Sequence, residues 1–325
     1  MKKTGKIILK VVGWTVTAAL LFVAGVCIYD LVKGKAERRA LVERGYENPV
    51  SVGDHSLNVY RAGNEDGEHT FVTLSGWSDG EAYIGWRPMT SAFENDNEFI
   101  FIDRPGYGLS DDVSNYEFID QVVEDYRTAL RNSGEEGPYI LMAHSMGGLY
   151  TAYWESTYPE EVEGVIIIDG TIPLDDERRA QEFNFPWWVK LSAEAELDWL
   201  HFSAKTGLCR LGPSVYDNVL YRLSEEDQEL ALAMVNSSMA TRQCITEMRR
   251  FATGELQNWT YHNIITNDIP KIYIAASEYE EALVYAERLG NTEVYDLPGD
   301  HVIFLDRTED CIEIIEDYLN DLDEE

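Results

Sequence analysis

The residues best suited to covalent chemistry lie in one stretch, Pro138 to Tyr153, which reads PYILMAHSMGGLYTAY. The apolar run Tyr139-Ile140-Leu141-Met142 fits a buried strand of a parallel sheet. Leu149 to Trp154, free of breakers, fits a helix. Ala143-His144-Ser145-Met146-Gly147 lies between them, with Gly148 next. A serine on so tight a strand-to-helix turn must sit in a strained backbone region, and the positions two before and two after it must be small. Gly147 meets that demand fully and Ala143 less well. The strain lifts the hydroxyl clear of the sheet, and the N–H groups at the helix start favour developing negative charge. These residue types offer nucleophilic attack by Ser145 on an acyl carbon.

AHSMGG resembles the GxSxG elbow of the α/β-hydrolase family, with Ala143 replacing the first glycine, as in some bacterial lipases. Asp103-Arg104-Pro105-Gly106-Tyr107-Gly108-Leu109-Ser110 is a second resemblance to that family, in a loop that its glycines and proline shape. Its two charged residues, Asp103 and Arg104, read as braces. The resemblance runs from about residue 45 to the C-terminus. It implies an α/β fold with a mostly parallel central sheet, helices on both faces and an inserted helical cap. It also implies a triad and an oxyanion hole, and no cofactor or metal. In the family the turn after the strand Thr70–Leu74 usually reads His-Gly. Here Ser75 precedes Gly76, and Trp77 N–H is assigned to the hole together with Met146 N–H. The catalytic base is expected just after the last strand, where only His301 of six histidines lies. His144 adjoins the nucleophile, so its side chain should point away. The acid has two candidate places. After the penultimate strand stand Glu278 and Glu280 but no aspartate. After the strand that follows the elbow helix stands Asp169, which resembles the haloalkane dehalogenases with an acid there, down to the preceding Pro159-Glu160. The reading taken is Ser145, His301 and Asp169.

The elements that must position these residues follow from period and punctuation. Asn48–Asp54 and His55–Tyr60 read as an antiparallel pair around a Gly-Asp turn, which His55 caps. Thr70–Leu74, Phe99–Ile102, Val162–Ile168, Lys271–Ala275 and Thr292–Tyr295 read as buried strands. A helix is expected from about Asn115 to Arg131. Thr171 to Asp268 is helix-like and rich in tryptophan, with Ser224 capping an acidic first turn. The expected domains are an anchor at 1–40, a core at 41–170 and 269–325, and a cap at 171–268.

The first forty residues differ from the rest. Val11–Tyr29 carries no charge over 19 residues and is flanked by lysines and arginines on both sides. At about 1.5 Å per residue such a run spans a bilayer core of about 30 Å. Val26 spoils a signal cleavage site, so the segment reads as an uncleaved anchor with the catalytic part outside the cytoplasm. The whole chain has a net charge of −33. Without residues 1–40 it keeps 18 basic and 57 acidic residues. That balance, with no basic patch after the anchor, excludes nucleic acid as a partner. The partners expected are a small acyl substrate and the membrane. Cys209 and Cys244 would pair only in an oxidising space, and free thiols are expected. The reading taken is a serine hydrolase of an ester or related acyl bond, similar to carboxylesterases and lipases; no residue selects ester over amide, thioester or carbon–carbon cleavage, and an aminopeptidase-like or carbon–carbon hydrolase is the alternative. The departures at Ala143 and Ser75 also leave room for a degenerate, non-catalytic binding module.

Overall fold

The computed structural model describes residues 2–77, 82–113, 116, 118–212, 220–239, 241–276 and 279–324. Eight strands form one sheet in the order β1-β2-β4-β3-β5-β6-β7-β8. They are β1 (Pro49–Ser51), β2 (Ser56–Gly63), β3 (Thr70–Leu74), β4 (Glu98–Ile102), β5 (Tyr139–His144), β6 (Val162–Ile168), β7 (Lys271–Ala275) and β8 (Thr292–Asp296). From β4 to β8 the neighbours run parallel, while β1 and β2 form the antiparallel edge. Parallel strands covered on both faces read as continuous apolar runs, and all six residues of β5 are buried.

The pleat sorts those runs between two cores. Leu141, Ala143, Val165 and Ile167 face α3 (Ile119–Asn132) and α4 (Gly147–Thr157). Ile140, Met142, Ile166 and Ile168 face the other way. There they meet α2 (Ala82–Thr90), α11 (Ile303–Asp306) and α12 (Thr308–Glu324). Between β6 and β7 come α5 (Asp176–Glu182), α6 (Trp187–Thr206), α7 (Glu225–Ser238), α8 (Arg242–Phe251) and α9 (Glu255–Asn263). Ser224 accepts the Asp227 N–H at the start of α7, as its sequence position suggests. α10 (Tyr279–Leu289) joins β7 to β8.

The N-terminal segment is one helix, α1 (Lys2–Glu43), long and apolar enough to cross a membrane. Its C-terminal half packs against α6 and α7. Arg210 pairs with Asp30 at 2.5 Å and with Glu37 at 2.9 Å, and Leu41 is buried in a cluster with Leu230 and Ile84. The helix expected from Asn115 begins at Ile119; Asn115 itself lies outside the described residues. His55 does more than cap its turn, since its Nε2 reaches Asp125 of α3 at 2.8 Å. All four cysteines are free thiols, with Cys244 buried.

Candidate active site

Three strand ends build the site. β5 delivers Ser145, whose φ of 53° puts a non-glycine residue in the left-handed region. Close approach explains Gly147: a Cβ there would stand 1.8 Å from the Leu74 carbonyl oxygen. Only glycine therefore lets the start of α4 lie against the end of β3. β6, next to β5, ends at Asp169, itself at φ 41°. Aspartate visits that region more readily than most residues. The loop after β8 carries His301.

These side chains form a row. His301 Nε2 lies 2.8 Å from Ser145 Oγ, and His301 Nδ1 lies 2.6 Å from Asp169 Oδ2. The other Asp169 oxygen accepts the Ala276 N–H at 2.9 Å. Burial pushes the Asp169 carboxyl up, but the hydrogen bonds from His301 and Ala276 outweigh it and hold the group below its ordinary value. Asp169 is therefore an anion at neutral pH, positioned to accept the imidazole Nδ1–H. Of the other acid candidates, Glu280 is exposed in the first turn of α10, and Glu278 lies outside the described residues.

His144 makes a contact that its place in the sequence did not suggest. Its side chain does leave the nucleophile, but its Nε2 lies 2.8 Å from the His301 carbonyl oxygen and its ring centroid 4.7 Å from that of His301. The pleat sends it to the face of α11, beneath the loop that carries His301. Sequence adjacency to Ser145 held no signal for that contact.

The turn Ser75-Gly76-Trp77 is held by a buried network. Arg104 donates to the carbonyls of Ser75 and Gly76, the latter at 2.6 Å. A trans peptide points its N–H opposite its C=O. Holding the Gly76 carbonyl on Arg104 thus aims the Trp77 N–H to the other side. Met146 N–H stands at the start of α4, where N–H groups have no partner within the helix. Glu247 of α8 lies 3.4 Å from Arg104 and accepts from Tyr107 and Tyr150. Burial opposes the Arg104 charge, but Glu247 together with Tyr107, Tyr150 and Tyr126 outweighs it and keeps the guanidinium above its ordinary value. Trp77 Nε1 donates to the Cys244 carbonyl at 3.1 Å. α8 therefore grips the turn twice. Arg104 is a brace, as its loop suggested, whereas Glu247 carries no signal of its own in the sequence.

A cavity of about 390 Å³ opens beside Asp169 and His301. A larger groove, about 890 Å³, lies between α5, α6 and α8, away from the row. The two share Phe183 as a wall, and Val189, Ala193 and Leu197 make much of the groove apolar. Among the described residues, no group of three His, Cys, Asp or Glu side chains could hold a metal ion.

Comparison with known proteins agrees with this architecture. The family profile described as alpha/beta hydrolase fold matches residues 70–200. The chain has the α/β-hydrolase fold. A mutant epoxide hydrolase from Bacillus megaterium, solved with its product, superposes on this α/β-hydrolase-fold chain with a TM-score of 0.63 at 20% identity. That match covers 84% of this chain and all of the other. Among curated relatives, the uncharacterized protein YbdG of Bacillus subtilis (strain 168) is 33% identical over 156 residues, 48% of this chain and 47% of its own. Epoxide hydrolase 1 of Caenorhabditis elegans is 34% identical over 168 residues, 49% of this chain and 40% of its own. The chain thus spans less than half the length of either curated relative.

Proposed function

We propose that this protein is a membrane-anchored serine hydrolase that cleaves an ester or related acyl bond. The observation that carries the reading is the row Ser145–His301–Asp169, with hydrogen-bond distances of 2.8 and 2.6 Å. His301 Nε2 takes the Ser145 proton as Oγ attacks the acyl carbon. Asp169 holds the imidazole tautomer and stabilises its charged form. The N–H groups of Trp77 and Met146 receive the oxyanion. His301 returns the proton to the leaving group, and water then repeats the sequence to release the acid. Although two of the similar proteins are named epoxide hydrolases, a serine at this turn does not suit their chemistry, which needs a carboxylate nucleophile. The groove sharing Phe183 with the cavity favours a substrate with an apolar chain. Residues 171–268 act as its cap. The apolar span of α1 is the anchor, with the catalytic part outside the cytoplasm.

A fluorophosphonate probe tests the chemistry. Full-length protein should be labelled at Ser145, and Ser145→Ala should abolish labelling with an unchanged circular dichroism spectrum. Labelling that persists at another serine would refute the nucleophile assignment. A panel of esters of rising chain length, with amide and thioester counterparts, then defines the bond and the pocket.

A further inference from the structure

Helix α6 has two apolar faces. Val189, Leu197 and Leu200 lie on its inner side. Trp187, Trp188, Leu191, Trp199 and Phe202 recur on the opposite side at helical spacing. They stand 76, 60, 63, 61 and 46% exposed. Lone exposed apolar residues need no explanation, but a contiguous stripe with three tryptophans does. Asp198, the one acidic residue in its midst, is paired with Arg249.

We infer that this outer stripe of α6 docks into the lipid surface of the membrane that α1 crosses. The inference rests on the reading of α1 as a membrane anchor, and the contact between the two helices carries it further. The charge-free run of α1 ends at Tyr29. Asp30, the first charged residue after that run, pairs with Arg210 and packs against Gly207, where a Cβ would meet it at 2.3 Å. Gly207, at φ 74°, ends α6. The C-terminal end of α6 is therefore clasped to the chain at the level where the span leaves the hydrocarbon. Val26 adds a second observation. It lies a turn inside the span, yet it is only 7% exposed, whereas Phe22 and Ile28 are 58 and 63% exposed. The folded body thus reaches down to the last turn of the span instead of standing off on a stalk.

At that level tryptophan is the favoured side chain, its ring in the headgroup layer. A helix lying in the interface buries an apolar face about 5–10 Å deep. The strongly acidic body is repelled by anionic surfaces, so the contact is apolar and suits zwitterionic headgroups. It also places the inner face of α6, which lines the larger groove, next to a reservoir of lipid-like substrate.

The test uses the full chain in phosphatidylcholine vesicles, in a Trp14→Phe background so that the span itself is silent. Lipids brominated near the headgroup should quench part of the tryptophan emission, in low and high salt alike. Trp187→Ser, Trp188→Ser and Trp199→Ser combined should abolish that quenched part, with far-ultraviolet circular dichroism unchanged. Quenching that survives the triple replacement, or none in either protein while both resist carbonate extraction, would overturn the docking and leave the anchor standing. Release by carbonate would overturn both. A detergent-solubilised dimer that dissociates on the triple replacement would assign the stripe to a second copy instead.

Discussion

The strand ends around Ser145 and the helix α6 use similar apolar residues to opposite effect. β5 is buried at every position, and its side chains alternate between two cores. α6, more than three times as long, has only Ser203 and Ala204 fully buried. Burying a large apolar side chain is worth about 1.5–3 kcal/mol. The sheet takes that gain inside the molecule, which makes its strand ends rigid enough to hold a row of hydrogen bonds. α6 leaves much of the gain untaken, in three exposed tryptophans. Rigidity thus sits under the chemistry, and unspent apolar surface sits where the protein meets what surrounds it.

Substitutions at the strand ends and on α6 can break or sharpen this contrast. The largest effect is expected at the end of β6. Asp169→Asn keeps the shape but holds the imidazole in the wrong tautomer, so turnover should fall on the order of 10⁴-fold, as for the serine-protease triad. Glu280→Gln, in the exposed first turn of α10, should leave turnover nearly unchanged. Initial rates on an activated ester, with circular dichroism as the control for folding, decide the ranking.

The next effect concerns α8, the helix that ties the insertion to the sheet. Glu247→Gln leaves the buried Arg104 charge without its partner, which should cost about 3–5 kcal/mol in urea unfolding. It should also lower kcat more than it raises KM, because it loosens the turn that aims the Trp77 N–H. An unchanged kcat would separate the network from the chemistry.

A smaller effect comes from Asp103, partly buried under its loop and pushed up to about 7 by burial. In the unfolded chain an aspartate titrates near 3.9, so between about pH 4 and 7 the folded protein holds a proton that the unfolded one has released. Stability contributed by this group is therefore full below about pH 4 and is lost as pH rises through about 7. Asp103→Asn should remove that part of the pH dependence. Unfolding curves at a series of pH values, wild type against variant, measure it.

The smallest effect is expected on α6. Trp188→Ser should change stability in detergent by no more than about 0.5 kcal/mol, as for other exposed sites. A large loss would mean that the stripe is structural, and the contrast between the two regions would disappear.

The sequence by itself determined what depends on local pattern. Thr70–Leu74, Val162–Ile168 and Lys271–Ala275 are strands with those same ends, because short apolar runs between breakers are written residue by residue. The Ser145 turn was legible for the same reason, since the small residues it needs are its own neighbours. So was the α/β-hydrolase fold, through motifs that each lie within one loop. Tertiary structure alone decided what depends on strand order. Asp169 rather than Glu280 touches His301, because β6 is the neighbour of β5 and its left-handed end turns the carboxylate to the imidazole. Glu247 meets Arg104 across 143 positions of chain, and His144 reaches the loop after β8 across 157. The clasp of Arg210 on Asp30 and Glu37 joins segments 180 and 173 residues apart. No local period encodes such pairs: a charged or polar side chain looks the same in sequence whether its partner is water or a residue brought in by the fold.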